Sequence, residues 1–183
     1  MKLAKRITGK TVNLRSMEES DAEFVLGLRL NPELNRFINP TDPSVDKQKD
    51  WIDRTLAKQD DYPMMIETND GRPLGTIAAY NIDKSRSQFE WGRWVIDPTA
   101  PPFTPVESAG LIYHFGFFTL DLDFAILGVQ QENTSVRRFH ENFGCQKIDS
   151  DDTAVWYGLT KERFRDILAN GLFRNYLAFM RGA

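Results

Sequence analysis

A hairpin in the first half of the chain constrains the fold more than any other feature of the sequence. The stretch YPMMIETNDGRPLGTIAAYNI contains two runs of strand-forming residues on either side of Asn69-Asp70-Gly71. Asn, Asp and Gly accept the left-handed backbone conformation that a tight turn requires. The pattern therefore predicts two neighbouring antiparallel strands, and the other segments must extend or cover the sheet that these strands begin.

Strand and helix patterns flank the hairpin on both sides. Residues 11–15 alternate as a short strand, and apolar spacing then predicts helices over residues 18–30 and from Val45 onward. Beyond the hairpin the predicted order is strand 87–96, helix 106–120, strand 123–129, helix 133–144, strands at 147–148 and 154–159, and a segment capped by Thr160. This order predicts an α/β fold with a mixed sheet and helices on both faces, in which the crossover from 87–96 to 123–129 is right-handed and parallel.

Composition narrows the classes of partner. The net charge is −3 and no basic block is present, which argues against a nucleic-acid partner. No run approaches the roughly 20 apolar residues of a membrane span, and the basic start lacks an apolar signal-peptide core. Cys145 is the single cysteine, so an intrachain disulfide is impossible. We expect a cytoplasmic protein without a membrane partner.

The segment from Asp97 to Glu107 joins a predicted strand to a predicted helix. Free N–H groups and the positive end of the helix dipole converge at such a connection, which makes it a natural cradle for an anion. Pro101, Pro102 and Pro105 each remove a donor from this loop. From the residues alone, an anion cradle and a plain connection both remain open.

Four segments resemble the GNAT N-acetyltransferases, and especially the branch of ribosomal-protein N-terminal and amino-sugar nucleotide N-acetyltransferases. VNLRSMEESDAEFVLGLRLNPELNRFI resembles the first strand and helix of that branch, and FEWGRWVIDP resembles its fourth strand. ESAGLIYHFGF resembles the helix that carries the cofactor pyrophosphate, and NTSVRRFHENFG resembles the Asn-led helix that flanks the cofactor thiol. The order and spacing of these motifs, more than any one of them, carry the resemblance.

The resemblance implies a GNAT fold, with a mostly antiparallel sheet and one parallel pair of strands that splays apart to receive acetyl-CoA. Backbone groups of Trp94, Val95 and Ile96 would hold the pantetheine arm and the thioester oxygen. The pyrophosphate would meet the N–H groups of Phe103, Thr104, Val106, Glu107 and Ser108, together with two hydroxyls. Asn133 would bind the cofactor, with an N-cap role as the alternative or additional reading. Arg137 would meet the 3′-phosphate, unless it only forms a solvated helix face.

The chain departs from the family pattern in three places. The loop before the pyrophosphate helix reads PPFTPVESA in place of a Gly-rich sequence and is one residue shorter. His140 stands seven residues after Asn133, where the family often has Tyr. The chain also continues beyond the last family strand, with Phe164, Ile167, Leu168, Leu172 and Tyr176 predicted to form one apolar helical stripe.

Catalysis would require a base for the acceptor amine and an acid for the leaving thiolate. Glu90 is the candidate base because it begins the strand that would carry the thioester; a solvated edge carboxylate is the alternative. His140 is the candidate acid, and a ring packed beside Phe139 and Phe143 is the alternative. Acceptor contacts would come from Arg29, Asn31, Phe37 and Trp91, of which the aromatic residues are otherwise core. The two His residues lie in no Cys or carboxylate cluster, so we expect no metal site.

Residues 1–159 are predicted to form the acetyltransferase domain, and residues 160–183 a helical extension packed on it or at a homodimer interface. The predicted function is transfer of acetyl from acetyl-CoA to a primary amine, with an amino-sugar nucleotide favoured. Two alternatives stay open. The acceptor is a protein N-terminus, or the Pro-rich loop has lost CoA binding and the chain is a non-catalytic binding module.

Overall fold

The computed structural model describes residues 2–180, which form one eight-stranded mixed sheet covered by helices. Strands β1 to β8 are Ile7–Thr8, Val12–Ser16, Tyr62–Thr68, Pro73–Asp83, Gln88–Ile96, Phe124–Gln130, Gln146–Ser150 and Ala154–Thr160. Helices α1 to α5 are Ala22–Leu30, Val45–Ala57, Thr104–His114, Thr134–Phe143 and Lys161–Asn170. This architecture confirms the predicted α/β class.

The strands lie in the order β1-β2-β3-β4-β5-β6-β8-β7. The predicted hairpin is confirmed as β3 and β4, with Gly71 at a φ of 89° in the turn. Strands β5 and β6 form the parallel pair, joined by the crossover through α3. Every other neighbouring pair is antiparallel, so the sheet is mixed in the way that the sequence predicts.

Alternate residues of β3 show that the sheet is covered on both faces. Met64 and Ile66 belong to the main core, which also contains Leu111 of α3. Met65 points to the opposite face, where it joins a smaller cluster with Ile52 of α2. Because successive side chains of a strand point to opposite faces, α3 and the α1–α2 pair must cover different sides of the sheet.

Local sequence signals account for several helix ends. Ser44, Asn133 and Thr160 each accept a hydrogen bond from a backbone N–H of the first turn that follows. Gly144 ends α4 with a φ of 110°, a conformation that favours Gly. The helix predicted over 106–120 is α3, which continues as a π-helical turn over Phe115–Thr119. No helix within residues 2–180 is long and apolar enough to cross a membrane.

The segment after β8 packs on the main core, but not as one stripe. Phe164, Ile167 and Leu168 of α5 are buried as predicted. The prediction is wrong for Leu172 and Tyr176, which are exposed because α5 ends at Asn170 and the chain turns at Gly171. After the turn, Leu177 and Met180 are buried against α3 at Gly110.

Candidate active site

Strands β5 and β6 separate at the centre of the sheet. They pair only from Gln88 with Phe124 to Glu90 with Ile126. Beyond these pairs, the β5 edge that faces β6 has no strand partner within residues 2–180, so its backbone groups are open to a ligand. A bulge bends β5 at the same place, where Arg93 and Trp94 together oppose the single residue Ile77. Arg93 has a φ of 49°, and bulges of this kind re-aim side chains beside functional sites.

A cavity of about 410 Å³ lies in the gap, and we call it the cleft cavity. Its walls combine β5, β6, the start and one face of α4, and the end of α1. The lining residues that the sequence singled out are Arg29, Phe37, Trp91, Trp94, Val95, Asn133 and His140. The structure thus brings together residues from three separate motifs. Tyr80, Arg93 and Gln130 also line this cavity.

Asn31, Arg137 and Ile96 are predicted site residues that do not line the cleft cavity. Asn31 ends α1, and its side-chain oxygen accepts a hydrogen bond from the Glu33 N–H at 2.9 Å. Arg137 donates to the carbonyl of Gln131 at 2.9 Å. Ile96 is half-buried at the end of β5. The side chains of Asn31 and Arg137 therefore form hydrogen bonds with residues nearby in the sequence.

Asn133 lies at the start of α4 and faces the cleft cavity. Its side-chain oxygen accepts a hydrogen bond from the Val136 N–H at 3.3 Å, which is the N-cap arrangement. The amide nitrogen donates no bond within residues 2–180 and stays available to a ligand. The capping and binding roles are therefore compatible at this position.

Some backbone N–H groups in the first turn of α3 donate hydrogen bonds to carbonyls of the loop that precedes it. The N–H groups of Thr104 and Glu107 donate to the carbonyls of Pro101 and Phe103, at 2.9 and 3.1 Å. The N–H groups of Phe103 and Val106 have no acceptor within residues 2–180. Two amides at the positive end of α3 therefore remain for an anion. That is fewer than the five that the resemblance implies.

The Glu107 carboxylate turns away from this loop. It is buried and accepts hydrogen bonds from the Thr11 N–H at 2.8 Å, from the Lys10 N–H and from the Thr11 hydroxyl. A carboxylate in the first turn also interacts favourably with the helix dipole. Glu107 therefore joins α3 to the β1–β2 turn through its side chain.

The two hydroxyls predicted to face the pyrophosphate also lie inside the protein. Thr104 and Ser108 are both 0% exposed. The Ser108 hydroxyl accepts a hydrogen bond from the indole N–H of Trp94 and donates to the carbonyl of Pro105, each at 3.2 Å. Ser108 thus supports a wall of the cleft cavity through Trp94, and the structure does not place either hydroxyl at the loop surface.

His140 is 2% exposed, although it lines the cleft cavity. The rings of Trp91, Trp94, Phe139 and Tyr157 surround it, with centroid distances of 5.3 to 6.1 Å. Burial lowers the pKa of the imidazole to about 3. Its Nδ1 is buried and has no hydrogen-bond partner within residues 2–180. The ring is therefore neutral at physiological pH and can take part in a hydrogen bond without carrying the imidazolium charge.

Glu90 occupies the last paired position of β5, between Tyr80 of β4 and Ile126 of β6. Tyr80 lines the cleft cavity, whereas Glu90 does not. Burial raises the pKa of the Tyr80 phenol, and the negative charge of Glu90 raises it further. The Glu90 carboxylate is therefore near Tyr80, but it does not line the cleft cavity.

Arg93 is a site residue that the sequence did not single out. It donates two hydrogen bonds to the Asp61 carboxylate, at 2.7 and 2.9 Å. Its guanidinium also lies over the rings of Trp51 and Tyr80, at 5.4 and 4.6 Å from their centroids. Asp61 lies 32 positions earlier in the chain. No local signal connects the two residues, and an Arg in a strand is ordinarily solvated.

A second cavity of about 440 Å³ lies between the α1–α2 pair and β4, and we call it the helical cavity. Arg29, Asn39 and Arg93 line both cavities, so these side chains stand between them. The other lining residues include Asp42, Lys47, Gln48, Trp51, Arg54, Pro63 and Thr76. The site therefore offers two neighbouring compartments, one between strands and one beneath helices.

Comparison with known proteins identifies the family. The model of the family described as "Acetyltransferase (GNAT) domain" matches residues 11–146. The chain belongs to the GNAT acetyltransferase family. This GNAT acetyltransferase is similar to apo FdhC, described as a nucleotide-linked sugar GNAT, with 29% identity and a TM-score of 0.84 over 98% of both chains. No curated protein matches the sequence.

More distant structures share the fold of this GNAT acetyltransferase. Spermidine N-acetyltransferase from Vibrio cholerae, in complex with CoA and spermine, is 16% identical with a TM-score of 0.73, over 84% of this chain and 97% of that one. A GNAT-family acetyltransferase from Bacillus anthracis is 18% identical with a TM-score of 0.72, over 86% and 99%. The enzyme is thus an acyltransferase of a family that uses acetyl-CoA. The open β5 edge and the two free amides at the start of α3 fit such a ligand.

Proposed function

We propose that this GNAT acetyltransferase transfers acetyl from acetyl-CoA to the primary amine of a small molecule, with a nucleotide-linked amino sugar as the favoured acceptor. The observation that carries the proposal is the pair of adjoining cavities. The cleft cavity suits a CoA arm that bonds along the open β5 edge as an added strand would. The helical cavity leaves separate room for an acceptor.

Several groups of the chain would hold the donor. The free N–H groups of Phe103 and Val106 lie at the positive end of α3, where a diphosphate is favoured. Asn133 retains an unused amide nitrogen at the cleft. When bound, acetyl-CoA supplies an acetyl group activated as a thioester. A backbone N–H of Trp94 or Val95 would stabilise the charge that develops on the acetyl oxygen.

Proton transfer requires groups on both sides of the reacting acetyl. Glu90 would accept the proton of the amine through water or through the Tyr80 hydroxyl, because Tyr80 lines the cleft cavity and Glu90 does not. His140 would donate a hydrogen bond to the departing sulfur from its neutral ring. Its lowered pKa makes the charged ring unavailable as the acid.

Two observations favour a nucleotide-linked amino sugar. FdhC, which is similar to nearly the whole chain at 29% identity, is described as a nucleotide-linked sugar GNAT. Among the described residues, the helical cavity is lined by Arg29, Lys47, Arg54 and Arg93 but by only one carboxylate, that of Asp42. A polyamine carries positive charges and would be repelled there. The small number of free amides at the start of α3 would suit a non-catalytic module, whereas the open β5 edge and the two adjoining cavities favour an enzyme.

The proposal is tested first by binding and then by turnover. Acetyl-CoA at 100 times its dissociation constant should raise the free energy of unfolding by about 2.7 kcal/mol, which a melting-temperature titration detects. A panel containing amino-sugar nucleotides, spermidine and N-terminal peptides should then release free CoA thiol only with the sugar nucleotides. An absent thermal shift at millimolar acetyl-CoA would contradict the donor, and turnover of spermidine alone would contradict the acceptor.

A further inference from the structure

Arg29 is a half-buried cation without a carboxylate partner in the described part of the chain. Its Nε donates to the hydroxyl of Thr41 at 2.8 Å, and one terminal nitrogen donates to the carbonyl of Asn39 at 3.3 Å. Both acceptors are neutral. Burial lowers the pKa of the Arg29 guanidinium, and the positive charge of Arg93 lowers it further. An anionic ligand would relieve both effects.

Gln48 adds a second unused donor to the same cavity. It projects from α2, is 6% exposed and lines the helical cavity together with Arg29. Its Nε2 is buried and has no hydrogen-bond partner within residues 2–180. A buried donor without an acceptor destabilises the fold, and the cost disappears when a ligand supplies the acceptor. Arg29 of α1 therefore lacks an anionic partner and Gln48 of α2 lacks an acceptor, and one anionic ligand could supply both.

The charges around the helical cavity point to an anion. Lys47 pairs with Asp42, and Arg93 pairs with Asp61, so these two cations are already compensated. Arg54 is exposed, and its Nε donates a hydrogen bond to the neutral carbonyl of Asp50 at 3.1 Å. Arg29 and Arg54 consequently leave uncompensated positive charge in one cavity of a protein whose net charge is −3.

We propose that Arg29 and Gln48 bind the diphosphate of the acceptor; this rests on the proposed function. A guanidinium presents its donors as a fork that matches phosphate oxygens, and the Gln48 amide would donate to a further oxygen. Arg29 lines both cavities. The diphosphate can therefore remain in the helical cavity while the sugar amine extends past Arg29 into the cleft.

The test measures binding with the CoA site already filled, because a diphosphate can also bind where CoA does. CoA is titrated first by calorimetry, and UDP, GDP, CDP and thymidine diphosphate are then titrated into the saturated protein. We expect wild type to bind at least one of them. Arg29→Ala should weaken that binding by about tenfold or more, and Arg29→Lys by less. Gln48→Glu, on the other helix, should weaken it similarly by adding a negative charge.

Arg86→Ala is the matched control. Arg86 is exposed, lines neither cavity, and its loss changes the net charge as Arg29→Ala does. It should leave nucleoside diphosphate binding unchanged. The inference is overturned if no nucleoside diphosphate binds CoA-saturated wild type, or if both Arg29→Ala and Gln48→Glu bind as tightly as wild type. Failure of CoA itself to bind would instead overturn the proposed function.

Discussion

His140 shows how burial decides what a single side chain can do. Its position, seven residues after Asn133, predicts a place near the cofactor thiol, and the structure puts both residues at the cleft cavity. The predicted role as acid depends on the protonation state, which sequence spacing does not report. Because four aromatic rings exclude water from the imidazole, its pKa falls to about 3 and only the neutral ring is available.

The lowered pKa makes the stability of the fold depend on pH. The unfolded chain binds a proton at His140 with a pKa of roughly 6.5, whereas the folded chain does so only near 3. The contribution of neutral His140 to the free energy of unfolding is therefore fully present above about pH 6.5, and it is lost as the pH falls toward 3. Between about pH 7 and about pH 4.5, the free energy of unfolding of the wild-type protein should fall by roughly 2 to 3 kcal/mol because of His140. We expect His140→Phe to lack this part of the fall. Urea unfolding of both proteins at the two pH values measures it, and parallel losses would refute the assignment.

The role of Glu90 depends on whether its carboxylate can reach the acceptor amine, because Glu90 does not line the cleft cavity. If it accepts the amine proton, Glu90→Gln should lower kcat at neutral pH by about a hundredfold or more while the protein stays folded. Glu33→Gln is the control, because Glu33 is exposed and lines neither cavity. Steady-state rates across the pH range check both variants. An unchanged pH–rate profile in Glu90→Gln would remove Glu90 from the mechanism.

At the scale of elements, the start of α3 combines a binding role with a structural one. The loop from Asp97 to Thr104 satisfies several of its own amides, and the Glu107 side chain reaches back to the β1–β2 turn. Gly9 allows this approach, since a Cβ there would lie 2.5 Å from a Glu107 carboxylate oxygen. The helix that would face the pyrophosphate is therefore anchored by an edge of the sheet.

Removing this anchor should destabilise the fold. Glu107→Ala would leave the N–H groups of Lys10 and Thr11 without their acceptor, at a cost of about 2 to 4 kcal/mol in the free energy of unfolding. Glu107→Gln keeps one acceptor oxygen and should cost less. Glu162→Ala is the control, because Glu162 also lies in a first helical turn but is exposed. Urea midpoints measure the series, and equal midpoints for Glu107→Ala and Glu162→Ala would count against the anchor.

At the scale of the whole molecule, the end of the described chain closes over α3. Leu177 and Met180 would touch a Cβ added at Gly110, at 2.5 and 3.0 Å, so the glycine permits close packing there. Leu172, Tyr176 and Phe179 remain exposed on the same segment. Pairing of that apolar surface with a second subunit stays a prediction, which light scattering on the full chain would test.

Two leucines of this segment should respond very differently to truncation. Leu177 is 0% exposed and Leu172 is 66% exposed. We expect Leu177→Ala to lower the free energy of unfolding by about 2 to 4 kcal/mol because it opens a cavity against α3. Leu172→Ala should change it by less than about 0.5 kcal/mol. Similar losses of stability in the two variants, measured by urea unfolding, would show that the segment does not pack as described.

The sequence by itself determined the order and type of the main elements. The turn at Gly71, the caps at Ser44, Asn133 and Thr160 and the helix end at Gly144 each depend on residues a few positions apart. Backbone conformation and first-turn hydrogen bonding are local, so a single sequence carries enough information about them. The ordered motifs also predicted site roles for Trp91, Trp94 and His140, and all three line the cleft cavity.

Only the tertiary structure decided the hydrogen bonding, burial and charge of that site. Glu107 meets partners 95 to 97 positions away, and Arg93 meets Asp61 across 32. Gln48 becomes a buried donor, and His140 loses its proton, because distant segments exclude water from them. Desolvation and long-range pairing arise when separate segments pack together, and the spacing of residues along one chain does not encode them.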